Sequence, residues 1–388
     1  MLTAKRSSAA ILVILVVASG VSAQPADDSL RGALLRLAVV PNVRPLVADQ
    51  VDGLARLIGL EISTSPTGAS AGGLRFTFDS SSGTFARSSR SFGPAFAERS
   101  LTSGKGRVSV GVNWLYADFN SFAGMDLNDG VQATRAVQAL PGATGTSKMN
   151  LSSSSVQTFA TYGISNNVDI GILVPWIRVS MSASSVLSDA NTVFLAASVP
   201  QTVASGVGDV GLLGKYRFWN GDAGTLAAQI QVSLPSGDDD DLRGLGITRT
   251  LLSAIWSREG RFAPHANIGY EIWRNSGAVS ANFDATGQFK YAFGADFAAH
   301  PRATVVVTAV GRSVFGRVKS GYQSIEVPGF GAVEALLPIE ALNVFSIAPG
   351  VKWNAYGNLV VSGHLLTSVV NFGIRANITP MVGIDWTF

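Results

Sequence analysis

From about residue 74 onwards, apolar and polar side chains alternate at every second position rather than at helical spacing. Between residues 209 and 218, one face carries large apolar side chains and the other mostly charged or small ones: Val210, Leu212, Tyr216 and Phe218 against Asp209, Gly211, Leu213, Lys215 and Arg217. Side chains of a β-strand point alternately to its two sides. The alternation therefore predicts strands with two unlike faces.

The pattern predicts fourteen strands, and the first two have the weakest signal. They fall at about 74–79, 84–90, 106–120, 155–163, 167–181, 207–218, 223–234, 248–257, 260–274, 287–298, 302–315, 342–353, 357–369 and 377–388.

The connections between these strands alternate between short turns and long polar loops when they are counted back from Phe388. The long loops are 121–154, 182–206, 235–247 and 316–341. Short turns at one end and long loops at the other are typical of bacterial outer-membrane barrels. The sequence predicts an all-β fold, a transmembrane antiparallel β-barrel of about 14 strands. A soluble β-sandwich or jelly roll would show the same alternation and is the alternative.

The alternation in the last predicted strand indicates contact with lipid up to the end of the chain. Val382, Ile384 and Trp386 are expected to face lipid and Phe388 to lie at the periplasmic interface, with Gly383, Asp385 and Thr387 on the lumen side. The expected partners are the lipid bilayer, lipopolysaccharide, small hydrophobic solutes and, through the strand that ends at Phe388, the machinery that inserts barrels.

The N-terminal residues carry a different pattern. Lys5 and Arg6 precede an apolar run and small residues at 21–23, which predicts a signal peptide at residues 1–23. A transmembrane helix is the alternative, but the run is shorter than a span requires. Residues 24–73 have apolar positions at helical spacing, so a short helical segment precedes the barrel at 74–388. This segment could plug the barrel, lie under it, contact a periplasmic protein or form a loosely structured leader.

Charge and composition exclude several classes of function. Removal of Lys5 and Arg6 leaves 27 basic and 26 acidic residues, and no cluster of basic and aromatic residues suggests a nucleic-acid site. The chain has no cysteine, which excludes thiol catalysis and cysteine-based metal sites. No cofactor is expected.

The alternation places a set of polar side chains on the lumen side, where they are candidates for a substrate path. A structural salt bridge or hydrogen bond is the alternative role for each of them, because buried charges are normally paired. The candidates are Asp209, Lys215, Arg217, Gln229, Gln231, His265, Glu271, Lys290, Asp296, Arg312 and His364.

Signals for metal binding and catalysis are weak. The run Asp238, Asp239, Asp240 and Asp241 offers carboxylates to a divalent cation, but it lacks the spacing of an EF-hand, and a solvated acidic loop tip is the alternative. The three histidines are far apart in the sequence, and no G-x-S-x-G motif is present. The sequence therefore predicts a protein that is not an enzyme, and an outer-membrane hydrolase that uses His265 or His364 is the weaker alternative.

One stretch resembles a known family. The residues SGVGDVGLLGKYRFWNGDAGTLAAQIQVSLPSGDDDD, at 205–241, resemble the core signature of the outer-membrane family named for the meta-pathway of phenol degradation. Residues 162–176 and 93–106 are similar to the same family. Asp209, Lys215 and Arg217 match the signature, and Pro235 to Asp238 match its loop.

That family resembles the long-chain fatty-acid transporter superfamily, whose barrels have fourteen strands and an N-terminal plug. The resemblance implies a channel or transporter in the cell outer membrane for small hydrophobic or aromatic compounds. A non-selective pore or a purely structural barrel is the alternative function.

Overall fold

The computed structural model describes residues 29–37, 44–64, 66, 76–79, 84–87, 89–122, 124–274, 284–317, 321–327, 331–337, 343–370 and 373–388. The signal peptide predicted at residues 1–23 lies outside these ranges.

The described residues form two helices and twenty strands. Neither helix is long and apolar enough to cross a membrane. The elements are α1 (Leu30–Leu37), α2 (Arg44–Ser63), β1 (Phe76–Asp79), β2 (Thr84–Arg87), β3 (Val108–Phe122), β4 (Met125–Asp126), β5 (Val131–Val137), β6 (Thr144–Gly163), β7 (Val168–Ser188), β8 (Val193–Val207), β9 (Gly211–Gly221), β10 (Gly224–Ser233), β11 (Thr248–Ser257), β12 (Phe262–Arg274), β13 (Asp284–His300), β14 (Ala303–Arg317), β15 (Gly321–Val327), β16 (Gly331–Leu337), β17 (Asn343–Tyr356), β18 (Leu359–Ser368), β19 (Ile374–Ala376) and β20 (Ile378–Thr387).

Twelve of the strands close into an antiparallel barrel, in the order β3, β6, β7, β9, β10, β11, β12, β13, β14, β17, β18 and β20. The barrel closes where β20 pairs with β3, for example at Ile384 and Val112. Closure is the expected solution in a membrane, because lipid cannot hydrogen-bond a free strand edge. The predicted barrel class is confirmed, and the sheet does not divide into the two layers of a sandwich.

The predicted number of about fourteen strands is wrong by two. The two weakest predicted strands correspond to β1 and β2, which pair with each other and, within the described ranges, with no barrel strand. Each has four residues, whereas a strand that crosses a bilayer needs roughly 9–11. The other twelve predicted strands all correspond to members of the closed barrel.

The two faces of the barrel strands follow the predicted alternation. On β20, Val382, Ile384 and Trp386 are exposed on the outside, whereas Asp385 and Thr387 are buried towards the lumen. The terminal Phe388 is also exposed, and its N–H donates to the carbonyl of Val108 at 2.8 Å. The outer face is therefore apolar to the end of the chain, as contact with lipid requires.

The barrel wall rises higher on one side, where β6, β7 and β8 continue into stretches that the sequence pattern assigned to the loops 121–154 and 182–206. Here the polarity of the two faces is reversed. Met149 and Met181 are buried on the inside, while Lys148 and Asn150 are exposed on the outside. A polar outer face does not fit hydrocarbon, so this part of the wall stands beyond the apolar band.

Both helices pack inside this raised part of the wall. Leu30 and Leu34 of α1 and Ile58 of α2 belong to one buried cluster with Leu151 of β6 and Met181 of β7. Ser29 caps α1, because its Oγ accepts a hydrogen bond from the Gly32 N–H at 2.9 Å. Pro45 stands in the first turn of α2, where a proline is compatible with a helix. The helices predicted within residues 24–73 are thus present.

Residues 89–106 form no helix or strand and lie inside the barrel, at the end where the short turns are. Phe92 and Ser100 are fully buried. The Phe92 N–H donates to Thr304 Oγ1 of β14 at 3.2 Å, and the Ser100 N–H donates to Ser257 Oγ of β11 at 3.2 Å. We call this stretch the inner segment.

Candidate functional site

A cavity of about 230 Å³ lies in the middle of the lumen, and we call it the lumen cavity. One end is formed by the last residues of α2, from Glu61 to Thr64, and the other by Phe96, Ala97 and Glu98 of the inner segment. The barrel strands form its sides. The cavity thus lies between the two parts of the chain that fill the barrel.

One side of the lumen cavity is lined by paired charges. Arg249 Nη2 lies 3.1 Å from Asp209 Oδ2, and Arg249 Nη1 lies 3.9 Å from Glu271 Oε1. Lys290 Nζ is 2.8 Å from Glu271 Oε2. Glu271 Oε1 also accepts hydrogen bonds from Trp273 Nε1 at 2.7 Å and from Gln288 Nε2 at 2.6 Å. The charges on this side therefore have partners and are fixed in position.

A second charged group connects the helical part to the wall. Glu61 of α2 forms ion pairs with Arg312 of β14, at 2.7 Å, and with Arg375 of β19. Both arginines are buried, and all three side chains line the lumen cavity. This group holds the end of α2 against the barrel wall.

The remaining lining combines apolar side chains with serines, threonines and amides. Phe119 of β3 and Leu366 of β18 are buried. Phe96 of the inner segment packs in one cluster with Leu366, with Val310 of β14 against that cluster. The lumen cavity therefore offers an apolar surface beside fixed charges, an arrangement that suits a small ligand with an apolar body and one polar group.

The inner segment is held to the lumen wall by charged side chains. Lys215 Nζ of β9 lies 3.4 Å from Glu98 Oε2, and Lys352 Nζ of β17 donates to the carbonyl of Pro94 at 2.9 Å. Asp169 Oδ2 of β7 accepts a hydrogen bond from the Ser103 N–H at 2.8 Å. Charges from three separate strands thus fix this segment in place.

The eleven candidate lumen residues divide into two groups. Six of them line the lumen cavity: Asp209, Gln229, Gln231, Glu271, Lys290 and Arg312. The other five are Lys215, Arg217, His265, Asp296 and His364. Lys215 contacts the inner segment as described, and Asp296 Oδ2 lies 3.4 Å from Ser91 Oγ. Arg217 donates to Asn167 Oδ1 at 2.7 Å, next to a short turn.

The two histidines proposed for hydrolysis lie away from the lumen cavity. His265 Nδ1 is 3.7 Å from Asp296 Oδ1, and its Nε2 is 3.3 Å from Thr308 Oγ1. Asp296, His265 and Thr308 are thus arranged as carboxylate, imidazole and hydroxyl, as in a catalytic triad, but none of them lines the lumen cavity. His364 packs edge-on against Phe96, with ring centroids 6.1 Å apart. His364 therefore contacts the inner segment directly, and His265 is connected to it through Asp296, which accepts a hydrogen bond from Ser91.

The acidic run at 238–241 is engaged with basic side chains. Asp238 and Asp241 both pair with Arg243, at 3.2 and 3.0 Å, and Asp240 pairs with Arg31 of α1 at 2.8 Å. Among the residues that the structure describes, no group of three or more histidines or carboxylates is placed to hold a metal ion. The contacts favour a role for this run in holding α1.

Arg249, Arg375 and Glu61 are charged residues of the lumen cavity that escaped prediction. Arg249 follows the alternation of β11, but apolar side chains on both faces of that strand hide the pattern. Arg375 lies on β19, within a stretch that separates two predicted strands. Glu61 is one of several polar positions on α2, and no sequence signal distinguishes it from the others.

Comparison with known proteins identifies a family. The family model described as "Putative MetA-pathway of phenol degradation" matches residues 126–325, which is more than half of the chain. No curated protein matches the chain.

Three solved structures are similar over most of their length. An outer membrane channel from Pseudomonas putida F1 has 10% identity and a TM-score of 0.48, with 74% of this chain and 97% of that chain covered. The toluene transporter TbuX from Ralstonia pickettii has 11% identity and a TM-score of 0.38, with 74% and 90% covered. A FadL homologue from Pseudomonas aeruginosa has 11% identity and a TM-score of 0.32, with 73% and 89% covered. Scores of this size carry no argument about function.

Proposed function

Because the chain belongs to the family described as putative MetA-pathway of phenol degradation, we propose that this outer-membrane β-barrel is a channel for small hydrophobic or aromatic compounds. The lumen cavity is the observation that carries the proposal. It lies inside a closed barrel and combines an apolar lining, which includes Phe119 and Leu366, with a few fixed charges. Sites for small organic molecules are usually built in this way.

The raised wall supports the same function. Its inner face is apolar, so a hydrophobic solute from the long-loop end would meet Met149, Leu151 and Met181 once the helices had moved away from them. Helices α1 and α2 cover this face. We propose that the helical part of residues 24–73 acts as a plug whose displacement exposes the apolar surface.

The partners expected from the sequence stay proposals. The polar outer face of β6 and β7, with Lys148 and Asn150, is where lipopolysaccharide would contact the barrel. Insertion machinery would contact the strand that ends at Phe388. The eleven candidate lumen residues remain proposed parts of the solute path.

Uptake by whole cells tests the channel. Cells that lack the gene should take up radiolabelled toluene more slowly at low concentration, and the intact gene should restore the initial rate. The variant Val310→Trp should restore it poorly, because Val310 lines the lumen cavity and a tryptophan there fills it. The control Val307→Trp is on the same strand but faces outward, so it should restore uptake. Uptake that does not depend on the gene, in cells where the protein is abundant, would contradict the proposal.

A structural barrel is the second candidate, and the filled lumen favours it. The helices and the inner segment occupy the described interior on both sides of the lumen cavity, and ion pairs of Arg312 and Lys215 hold them to the wall. Conductance measurements, described in the Discussion, separate this candidate from a channel.

A further inference from the structure

The ion pairs around Glu61 contain one more positive charge than negative charge. Arg312 and Arg375 both pair with the single carboxylate of Glu61, and among the described residues neither arginine forms an ion pair with another carboxylate. Both side chains are buried, with 6% and 3% of their surfaces exposed. Buried charges are normally balanced, so one positive charge here lacks a counter-charge.

Several N–H groups of the same two arginines lack acceptors. Arg312 Nη1 and the Nε and Nη2 atoms of Arg375 are buried and have no hydrogen-bond partner within the described structure. Arg375 Nη1 donates to the carbonyl of Ile374 at 2.9 Å, which fixes the guanidinium in place. Buried polar groups are nearly always hydrogen-bonded in proteins, and an arginine fork is shaped to bind a carboxylate.

The surroundings define the rest of the ligand. Both arginines line the lumen cavity, whose lining also includes Phe119, Val344 and Leu366. Its volume of about 230 Å³ is below the roughly 300–1,000 Å³ of sites for drug-sized molecules, so a single ring fits better than a polycyclic compound. An anion with a small apolar body matches both halves of the site.

From these contacts we propose that Arg312 and Arg375 form an anion subsite for the carboxylate of a monocyclic organic acid, whose ring lies against the apolar side of the lumen cavity. The proposal rests on the proposed channel function and specifies its substrate class. Because Glu61 already holds both arginines, the ligand competes with it, and binding weakens the attachment of α2 to the wall.

Calorimetric titration of the purified mature protein with benzoate and benzamide tests the subsite. The two probes have the same ring and nearly the same size, but only benzoate carries a charge. We expect tighter binding of benzoate. Glu61→Gln should strengthen benzoate binding roughly tenfold, which is about 1.4 kcal/mol of binding free energy, because the competing carboxylate is lost from a buried charge pair. Binding of benzamide should change little.

Glu61→Gln/Arg375→Gln should abolish the preference for benzoate, and it avoids an unpaired buried carboxylate. Arg243→Gln is the control, since Arg243 pairs with Asp238 and Asp241 and does not line the lumen cavity; it should keep the preference. Far-UV circular dichroism checks that each variant is folded. If the double variant does not fold, the test rests on Glu61→Gln alone, which should bind benzoate more tightly than the wild type does.

Equal affinity for the two probes in both the wild type and Glu61→Gln would overturn the subsite, and so would loss of the preference in Arg243→Gln. If benzamide binds but benzoate has no advantage, the channel proposal stands and only the anion subsite fails. If neither probe binds and toluene uptake is also independent of the gene, the proposed function fails with it.

Discussion

At the scale of single residues, the charged side chains of the lumen lie against side chains of opposite charge. Arg249 shows this most clearly, because it contacts Asp209 of the β8–β9 connection and Glu271 of β12 and is itself buried. Removing one partner of a buried pair leaves an uncompensated charge, which costs more than the pair contributes when it is intact. These residues therefore fix the wall around the lumen cavity.

Replacement of Arg249 tests this role. Arg249→Met should lower the free energy of unfolding by about 3 kcal/mol, the typical loss when a buried pair is broken. Urea unfolding of the protein in lipid vesicles measures the change. Arg302→Gln is the control, because Arg302 is exposed in a short turn. Asp209→Asn added to Arg249→Met should recover part of the loss; a double variant that is no more stable than the single one would contradict the pairing.

At the scale of elements, the inner segment lies directly against the barrel wall. Its backbone passes against β6, where the Gly106 N–H donates to the carbonyl of Gly163 at 2.8 Å. A Cβ atom at position 163 would lie only 1.9 Å from the carbonyl oxygen of Gly104. Because that oxygen belongs to the backbone, no side-chain rotation relieves the clash. Only glycine allows the inner segment to approach β6 this closely.

Gly163→Ala should therefore displace the inner segment. We expect a loss of about 1–3 kcal/mol in the free energy of unfolding, as for other overpacked sites. Trypsin should also cleave after Arg99, which is buried in the wild type. Gly363→Ala is the control, because a Cβ at position 363 meets no atom within 4 Å. Arg99 that stays protected in Gly163→Ala would show that the segment does not depend on this contact.

At the scale of the whole molecule, the interior is filled in two layers. Helix α2 fills the long-loop side and is held by Arg312 and Arg375. The inner segment fills the short-turn side and is held by Lys215 and Lys352. The lumen cavity separates the two layers. A solute that crosses the barrel must pass both of them.

The two layers predict that removal of the helices alone does not open the barrel. Mature protein and a variant without residues 24–73 should both conduct poorly in planar bilayers, because the inner segment remains. Adding Lys215→Ala and Lys352→Ala to the truncated protein should raise single-channel conductance, because the inner segment loses its charged contacts.

Adding only Lys105→Ala to the truncated protein should not raise the single-channel conductance, since Lys105 is exposed. High conductance after truncation alone would show that the helices are the only barrier. Absence of conductance in every variant would favour a structural barrel.

The sequence alone determined which residues face lipid and which face the lumen. Strict alternation settles this, because a strand turns successive side chains to opposite sides and lipid accepts only apolar ones. It also located all twelve barrel strands and both helices. It did not locate the raised wall. In this part of β6 the apolar Met149 faces inward and the charged Lys148 faces outward, which is the opposite of a membrane strand, so the pattern did not predict one.

The tertiary structure alone decided the strand number, the position of the inner segment and the composition of the lumen cavity. Strands β1 and β2 have plausible strand sequences, and only their pairing partners exclude them from the barrel. Glu61, Arg312 and Arg375 come from parts of the chain more than 300 residues apart at the extremes, and closure of the barrel brings them together. The local pattern of apolar and polar residues determines which side of a strand a residue faces. Contacts across a closed sheet depend instead on which distant segments the fold brings together.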